Sequence, residues 1–157
     1  MSDFDIRPAC TSDAKALVRL INLAFVAESP YIRGERIDLA GVLEFFSKGT
    51  LLVQRDRDAL VGCVFIGREG EDGYVGLLSV DPAYQGKGLG GALMAAAEQT
   101  CVAEGQTHVQ LRFINHRDDL LRFYSRRGYA QSGTVPFPHP QRMKVPFYFI
   151  QMSKRLV

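Results

Sequence analysis

The chain has 157 residues, of which 46% are hydrophobic and 23% charged, a balance typical of a folded domain and not of a disordered segment. This length predicts one domain over residues 1–157. The net charge of +2 is too small to indicate a nucleic-acid-binding protein by itself.

Three widely spaced cysteines, Cys10, Cys63 and Cys101, form no CxxC pair and have no histidine cluster beside them. This pattern argues against a disulfide framework and against a metal site, and it favours a reducing, cytoplasmic environment. The acidic residues 1–5 lack a signal-peptide pattern. The longest uncharged apolar stretch, around residues 88–97, is far shorter than the ~20 residues of a membrane span. We therefore expect a cytoplasmic protein without a membrane segment.

Charge is unevenly distributed along the chain. Residues 1–100 carry ten Lys and Arg against fourteen Asp and Glu, whereas residues 101–157 carry nine against three. The last third of the chain is therefore basic and the remainder is acidic. Two interpretations stay open: a solvated basic face, or a side of the molecule that faces an anionic ligand.

The first third of the chain predicts one strand and two helices. Residues 4–7 can begin a strand, and the cluster at residues 11–13 is a typical helix start, because short oxygen-bearing side chains accept hydrogen bonds from first-turn amides. Apolar residues then recur at helical spacing and predict a buried stripe of Leu17, Leu20, Ile21, Ala24 and Phe25. Residues 28–37 are predicted to form a polar loop, and residues 38–46 a second, shorter helix.

Three strand-like runs follow at residues 50–55, 60–67 and 74–80, separated by short charged turns. Such short connections favour an antiparallel meander. A glycine-rich loop then leads into a long Ala-rich helix, which is predicted to end near Gly105.

The last third predicts a strand over residues 107–113, a helix over 118–127, and two strands over 129–135 and 145–154. Residues 136–140 contain three prolines and are predicted to be irregular, because proline removes amide donors. The resulting order β-α-α-β-β-β-α-β-α-β-β predicts a mixed sheet with helices packed against it, an α/β (α+β) fold.

The glycine-rich loop contains the string Gly86-Lys87-Gly88-Leu89-Gly90-Gly91, and three kinds of nucleotide-binding site compete to explain it. In a dinucleotide-binding fold the first glycine follows its strand directly, and an acidic residue stands about 20 positions further on. Here residues 81–84 intervene, and Leu111-Arg112-Phe113 in the next strand includes no acid. A Walker loop needs Ser or Thr after Gly-Lys, whereas here a glycine follows. Both interpretations therefore fail.

The third interpretation is a backbone anion site at a helix N-terminus. The strand at residues 74–80, the turn at 81–84 and the loop lead directly into the Ala-rich helix. Glycines allow successive N–H groups to converge on an anion, and the helix dipole adds roughly half a positive charge. We therefore predict a diphosphate site in this loop, with Lys87 beside the anion.

Residues 80–90 resemble the acetyl-CoA motif of the GNAT superfamily of N-acetyltransferases. In that motif Gln or Arg, two residues, Gly, one residue, and Gly or Ala follow the fourth strand, and Gln85, Gly88 and Gly90 match it. Residues 111–115 and 121–129 resemble a second family block, a strand and asparagine followed by a Tyr-x-x-x-Gly-aromatic helix. The order of predicted elements is similar along nearly the whole chain.

The resemblance implies a GNAT-like fold, with a mixed, mostly antiparallel seven-stranded sheet flanked by about four helices. It implies an acyltransferase that moves the acetyl group of acetyl-CoA directly to a primary amine of a small molecule, an amino acid or a peptide. No metal, membrane or nucleic acid is implied as a partner, and a homodimer is left open because dimers are common in the family. The residues expected to contact acetyl-CoA are Leu78, Val80, Gln85, Gly86, Lys87, Gly88, Leu89, Gly90, Gly91, Asn115 and Tyr124.

Direct transfer sets three catalytic tasks. By resemblance, a main-chain N–H near Leu78 stabilises the developing oxyanion. By resemblance too, Tyr124 protonates the departing thiolate, and a phenol has a suitable basicity for that task. The substrate ammonium must also be deprotonated, and Glu28 is the expected base, with His139 and a water chain as alternatives.

The acetyl acceptor is less defined by the sequence. Tyr31, Arg33 and Arg36 in the early loop can bind a substrate carboxylate, and His139 can line the opposite wall; an ordinary polar loop is the alternative. Two other functions stay open. One is a non-catalytic acetyl-CoA-binding regulatory domain, which would have no need of Tyr124 as an acid. The other is a nucleic-acid-binding module, for which the basic residues between 112 and 127 come without any accompanying motif.

Overall fold

A computed structural model describes residues 4–157, and residues 1–3 of the acidic N-terminal segment lie outside the described residues. The strands are β1 Asp5–Pro8, β2 Thr50–Asp56, β3 Ala59–Glu69, β4 Asp72–Val80, β5 His108–Ile114, β6 Ala130–Pro136 and β7 Tyr148–Arg155. The α-helices are α1 Ala14–Ala24, α2 Leu39–Lys48, α3 Leu89–Ala103 and α4 Asp118–Ser125. All seven strands form one sheet in the order β1-β2-β3-β4-β5-β7-β6. The predicted mixed, mostly antiparallel sheet with four helices is thus confirmed.

The sheet contains one parallel pair within the described residues, and that pair is short. Strands β2, β3 and β4 form the predicted antiparallel meander. Strand β4 then pairs in parallel with β5 through only two residue pairs, Gly73 with Val109 and Tyr74 with Gln110. Beyond Tyr74 the two strands separate, and this opening in the sheet positions the site described below.

Helices cover both faces of the sheet and define two cores. On one face, Leu93, Met94 and Ala97 of α3 pack with Tyr124 of α4 over the central strands. On the other face, α1 and α2 pack through buried residues that include the predicted stripe positions Leu17, Leu20 and Ile21, while Phe25 of that stripe is only partly buried. The amphipathic spacing of α1 therefore orients that helix as the sequence predicted.

Local sequence explains where the helices begin and end. The Asp38 carboxylate accepts a hydrogen bond from the Gly41 amide at 2.8 Å and caps α2, which extends to Lys48, two residues further than predicted. Helix α3 is followed by Gly105, which has a φ of +86° and allows the chain to turn away. Helix α4 ends at Ser125, two residues earlier than predicted, because the chain already turns toward Gly128 at φ +92°.

The proline-rich segment is more regular than predicted. Pro136 is the last residue of β6 and pairs with Tyr148, and Pro140 begins a 3-10 turn, Pro140–Arg142. The prediction that all of residues 136–140 are irregular was wrong for two physical reasons. Strand β6 lies at the edge of the sheet, where a missing amide donor costs little, and the first position of a helical turn needs no donor either.

Cys63 and Cys101 are buried, whereas Cys10 is exposed. Burial raises the pKa of the Cys63 thiol to about 12 and that of Cys101 to about 11. Both thiols therefore stay protonated at neutral pH. Over residues 4–157, none of the helices has both the length and the apolar character needed to cross a bilayer.

Candidate active site

A cavity of about 1330 Å³ occupies the opening between β4 and β5. One end, here called the cofactor end, is lined by the glycine-rich loop, the start of α3 and helix α4. The opposite end, here called the acceptor end, is lined by residues of the α1–α2 loop and of the β6–β7 loop. The two ends meet at the second half of β4, so one continuous space connects them.

A bulge in β4 shapes the middle of the cavity. Gly76 pairs with Phe65 and Ser79 pairs with Cys63, so Leu77 and Leu78 together oppose a single residue of β3. Leu77 has a φ of +56°, a left-handed conformation that costs a non-glycine residue roughly 1–2 kcal/mol. Its carbonyl accepts hydrogen bonds from the Ser79 hydroxyl at 2.9 Å and the Cys63 thiol at 3.6 Å. These bonds hold the bulge, and the chain at Leu77 and Leu78 lines the cavity.

The glycine-rich loop opens its main chain toward the cofactor end. Gly86 and Gly88 have φ values of +82° and +81°, and a Cβ atom on either would meet no protein atom within 4 Å. Gly88 is the N-cap of α3 and supplies no capping side chain, and the first helical hydrogen bond runs from the Ala92 amide to the Gly88 carbonyl. Within the described residues, the amides of the first turn of α3 therefore lack both intrahelical and side-chain partners, which is the arrangement that binds an anion.

Two basic side chains lie near this loop, but only one lines the cavity. The Lys87 ammonium lies 5.2 Å from the centre of the Tyr84 ring, outside the cavity lining, whereas Tyr84 itself lines the cavity. The Arg127 guanidinium lies 3.7 Å from the centre of the Phe123 ring and donates a hydrogen bond to the Phe123 carbonyl at 2.9 Å. A Cβ atom placed on Gly91 would lie 2.7 Å from a guanidinium nitrogen of Arg127, so the Arg127 side chain covers the first turn of α3.

The position of Arg127 is electrostatically informative. A cation at a helix N-terminus is unfavourable, because the helix dipole places partial positive charge there. An anion bound between the Arg127 guanidinium and the α3 amides would attract both groups and offset the repulsion between their positive charges. In the sequence, Arg127 stands out only as part of the basic surplus of residues 101–157, and that surplus is the one signal that could have indicated its position at the site.

Tyr124 is both a core residue and part of the cavity wall. It is 7% exposed, and its ring packs against Phe113, Phe123 and Tyr129 at centroid distances of 5.7, 5.1 and 5.8 Å. Burial raises the pKa of Tyr124, and no hydrogen-bond partner for its hydroxyl occurs in the described part of the chain. The hydroxyl therefore keeps its proton at neutral pH and is free to donate it within the cavity.

Glu28 provides a buried carboxylate on the same cavity. It ends the 3-10 turn after α1 and is 8% exposed. Its carboxylate accepts a hydrogen bond from Arg117 at 3.1 Å, and Arg117 also binds Asp119 through two nitrogens at 3.0 and 2.9 Å. Burial raises the pKa of Glu28, and the positive charges of Arg117 and Arg36 oppose that rise. Glu28 is thus a carboxylate with increased proton affinity, held in place by an arginine that the sequence analysis did not single out.

The remaining predicted site residues divide into two groups. Leu78, Val80, Gln85, Gly86, Gly88, Leu89, Gly90, Gly91 and His139 line the cavity together with Tyr124 and Glu28. Asn115, Tyr31 and Arg33 are outside the lining and make structural contacts. The Asn115 side chain accepts a hydrogen bond from the Tyr148 amide at 3.0 Å, and Tyr31 stacks on His116 with ring centroids 5.4 Å apart. Arg33 binds carbonyls of the β6–β7 loop.

One further aromatic residue, Tyr74, lines the cavity where β4 and β5 separate. The Arg112 guanidinium lies 5.7 Å from its ring centre, and burial raises the pKa of Tyr74. Nothing in the local sequence distinguishes Tyr74 from an ordinary strand residue, because its position follows from where the parallel ladder stops. Among the described residues there is no group of three or more His, Cys, Asp and Glu side chains that could hold a metal ion.

The family described as "Acetyltransferase (GNAT) domain" matches residues 35–154. This match covers most of the chain, and the chain belongs to the GNAT acetyltransferase domain family.

Solved structures with the same fold extend over nearly the whole chain. Ard1 from Thermoplasma volcanium is 19% identical, with 99% of each chain covered and a TM-score of 0.83. An N-acetyltransferase from Staphylococcus aureus is 13% identical, with 99% of this chain and 100% of that chain covered and a TM-score of 0.81. The yncA protein from Salmonella typhimurium, solved with its cofactor acetyl-CoA, is 19% identical, with coverage of 99% and 95% and a TM-score of 0.80. At these identities the similarity establishes the fold.

Proposed function

We propose that the protein is an N-acetyltransferase that uses acetyl-CoA to acetylate a primary amine of a small molecule, an amino acid or a peptide. One observation carries the proposal. A single cavity joins the open amides at the start of α3 to a protonated phenol, Tyr124, and a buried carboxylate, Glu28. Acetyl transfer needs an anion site for the donor, an acid for the leaving thiolate and a base for the amine, and these groups can supply all three.

The cofactor end fits the diphosphate of acetyl-CoA. Gly86 and Gly88 leave space where any other residue would place a Cβ atom, and the first-turn amides of α3 have no competing cap. Arg127 adds a full positive charge beside them. When bound, acetyl-CoA supplies an activated acetyl group; the protein's part is to hold and orient it. Val80 and Leu78 are the main-chain positions expected to contact its pantetheine arm.

Each catalytic task has a candidate group on this chain. Leu78 has no Cα partner in the register between β3 and β4, and its main-chain N–H is the expected oxyanion donor. Such a donor is typically worth about 3–4 kcal/mol of barrier. Tyr124 is the expected acid, since its phenol is protonated at neutral pH and lines the same cavity as the start of α3. Glu28 is the expected base, since burial gives its carboxylate a greater proton affinity than that of an exposed glutamate.

The test is a panel of primary amines, with acetyl-CoA as donor and release of the free thiol as the measurement. Because Cys10 is exposed, a thiol reagent would also label the protein, and Cys10→Ser removes that background. We expect thiol release that depends on the amine, with the acetylated amine detected by mass. Tight acetyl-CoA binding without release for any amine would contradict the proposal and support a regulatory acetyl-CoA-binding domain instead.

A further inference from the structure

The two loops at the acceptor end are joined to each other by reciprocal hydrogen bonds. The Arg33 side chain donates to the carbonyls of Gln141 and Met143, at 3.3 and 2.7 Å. In the opposite direction, the Arg142 side chain donates to the carbonyls of Arg33 and Glu35, at 3.1 and 2.9 Å. The Arg33 amide donates to the Arg142 carbonyl and the Lys144 amide to the Tyr31 carbonyl, and a bridge between Ile32 and Met143 lies alongside.

These bonds have a consequence for the size of the acceptor. They connect residues 31–35 with residues 141–144 across the acceptor end, so the two loops act as one cross-linked wall. A polypeptide that passed between these two loops would have to replace these hydrogen bonds. The acceptor end therefore fits a small molecule better than a peptide chain.

Most cationic side chains near the acceptor end already have partners. Arg117 binds Glu28 and Asp119, and Arg112 binds Glu69 and Gln151. Arg33 and Arg142 bind main-chain carbonyls across the two loops. These four guanidinium groups are held in place by the protein and serve its structure.

Three further cationic side chains line the cavity and have no hydrogen bond or ion pair within residues 4–157: Lys15, Arg19 and Arg36. Of these, Arg36 carries the charge that opposes the rise in the pKa of Glu28. The Arg36 side chain is exposed to solvent in the cavity, and its guanidinium lies 5.5 Å from the centre of the Phe25 ring. An accessible guanidinium without a protein partner can form a charge-assisted hydrogen bond with the carboxylate of a bound ligand. Glu28 lies close enough to interact electrostatically with Arg36, yet does not form an ion pair with it.

We propose that the acceptor is a small amino acid, whose carboxylate binds Arg36 while its amine faces Glu28. A guanidinium and a carboxylate that line the same cavity provide opposite charges for the two ends of such a zwitterion. The inference rests on the proposed acetyl transfer and narrows it to one substrate class. It also separates the roles of the two loop arginines: Arg33 holds the loops together, whereas Arg36 binds the acceptor.

The experiment compares each of several α-amino acids with its own amide, which keeps the amine and the side chain but lacks the negative charge. We expect kcat/KM for the acids to exceed that for the amides by about tenfold or more, as is typical of a hydrogen-bonded ion pair. Arg36→Met should abolish the preference, so that acids and amides have equal kcat/KM in this variant. Because loss of Arg36 also raises the pKa of Glu28, acids and amides are compared within the variant and in alkaline buffer. Arg36→Lys should restore part of the preference. The control is Arg68→Met, which removes an exposed arginine outside the cavity and should alter neither rate.

Each outcome decides a different claim. Equal kcat/KM for acids and amides in the unmodified protein, or an equal loss for both in Arg36→Met, would overturn the amino acid assignment and leave acetyl transfer intact. Preferential acetylation of peptides carrying a free N-terminus would also overturn it. Failure to bind acetyl-CoA, or to acetylate any amine, would overturn the proposed function itself.

Discussion

The two ends of the cavity present different kinds of chemical group. The cofactor end uses main-chain amides, which Gly86 and Gly88 leave uncovered at the start of α3. The acceptor end uses long side chains: Arg36 and Arg142 line it, and Arg33 joins the α1–α2 loop to the β6–β7 loop, which is more than a hundred residues away in sequence. Backbone geometry is set by a few neighbouring residues, whereas side-chain contacts depend on the whole fold. A family can therefore keep the first end constant while its members vary the second.

If this contrast is correct, the largest single effect comes from the backbone end. Gly88→Glu should weaken acetyl-CoA binding by about a hundredfold or more, because it adds a carboxylate to the anion site and forces an L-residue into φ +81°. Isothermal titration calorimetry with acetyl-CoA measures the change.

The matched control lies at the other end of the same helix. Gly105 also has a positive φ, +86°, and open space around its Cβ position. Gly105→Glu therefore adds the same strain and the same charge far from the loop. We expect it to lower the free energy of unfolding by about 1–2 kcal/mol and to leave acetyl-CoA affinity unchanged. Equal losses of affinity in both variants would refute the anion site.

The next effect concerns the chemistry between the two ends. Tyr124→Phe should lower kcat by about tenfold to a hundredfold and preserve acetyl-CoA affinity, because it removes a proton donor and keeps the ring packing.

Tyr129→Phe provides the comparison for that substitution. The Tyr129 hydroxyl donates to Glu98 at 2.8 Å outside the cavity lining. This variant should keep full kcat and lose about 1 kcal/mol of unfolding free energy. If Tyr124→Phe retained full turnover, Tyr124 would be a core residue only.

A smaller, pH-dependent effect tests the acceptor end. Arg117 opposes the rise in the pKa of Glu28, so Arg117→Gln should raise that pKa further. A base with a higher pKa is protonated at higher pH, and the fall of kcat/KM on the acid side should therefore move to higher pH. The variant should lose more activity in acidic than in alkaline buffer. A uniform loss at all pH values would argue against Glu28 as the base.

The smallest effect is expected from the loop contacts. Arg33→Met removes two hydrogen bonds to the β6–β7 loop and should raise the KM of the acceptor about severalfold, with acetyl-CoA affinity unchanged. Arg68→Met again serves as the control. A parallel change in acetyl-CoA affinity would show that the two ends are not independent.

The same contrast explains what the sequence could predict. The Gly86–Gly91 loop could be interpreted because strand, turn, glycines and helix follow one another along the chain, and each imposes a local requirement. The meander β2-β3-β4 and the buried stripe of α1 were predictable for the same reason: their periodicity and short turns are local. The exceptions were small, such as Pro136, whose tolerance depends on β6 being an edge strand.

The rest of the candidate site depends on contacts that no local pattern records. Arg117 reaches Glu28 across 89 positions of sequence, and Tyr74 lines the cavity only because the β4–β5 ladder stops beside it. Lys87 is the opposite case, in which a local pattern suggested a side-chain position that the structure does not show. Its position in the motif suggested a contact with the anion, yet its ammonium lies over the Tyr84 ring. Whether Lys87 moves toward a bound diphosphate stays a prediction.

The two-pair ladder at Gly73 and Tyr74 leaves the sheet as two half-sheets, β1–β4 and β5–β7, which share little main-chain bonding. A thioester lodged between them would touch both halves and resist their separation, adding to the core beneath α3. A ligand that binds only the folded state stabilises that state by an amount that grows with the logarithm of the ligand concentration. Resistance to proteolysis would therefore increase with the concentration of acetyl-CoA. The lifetime of the enzyme would then depend on the abundance of the molecule it consumes.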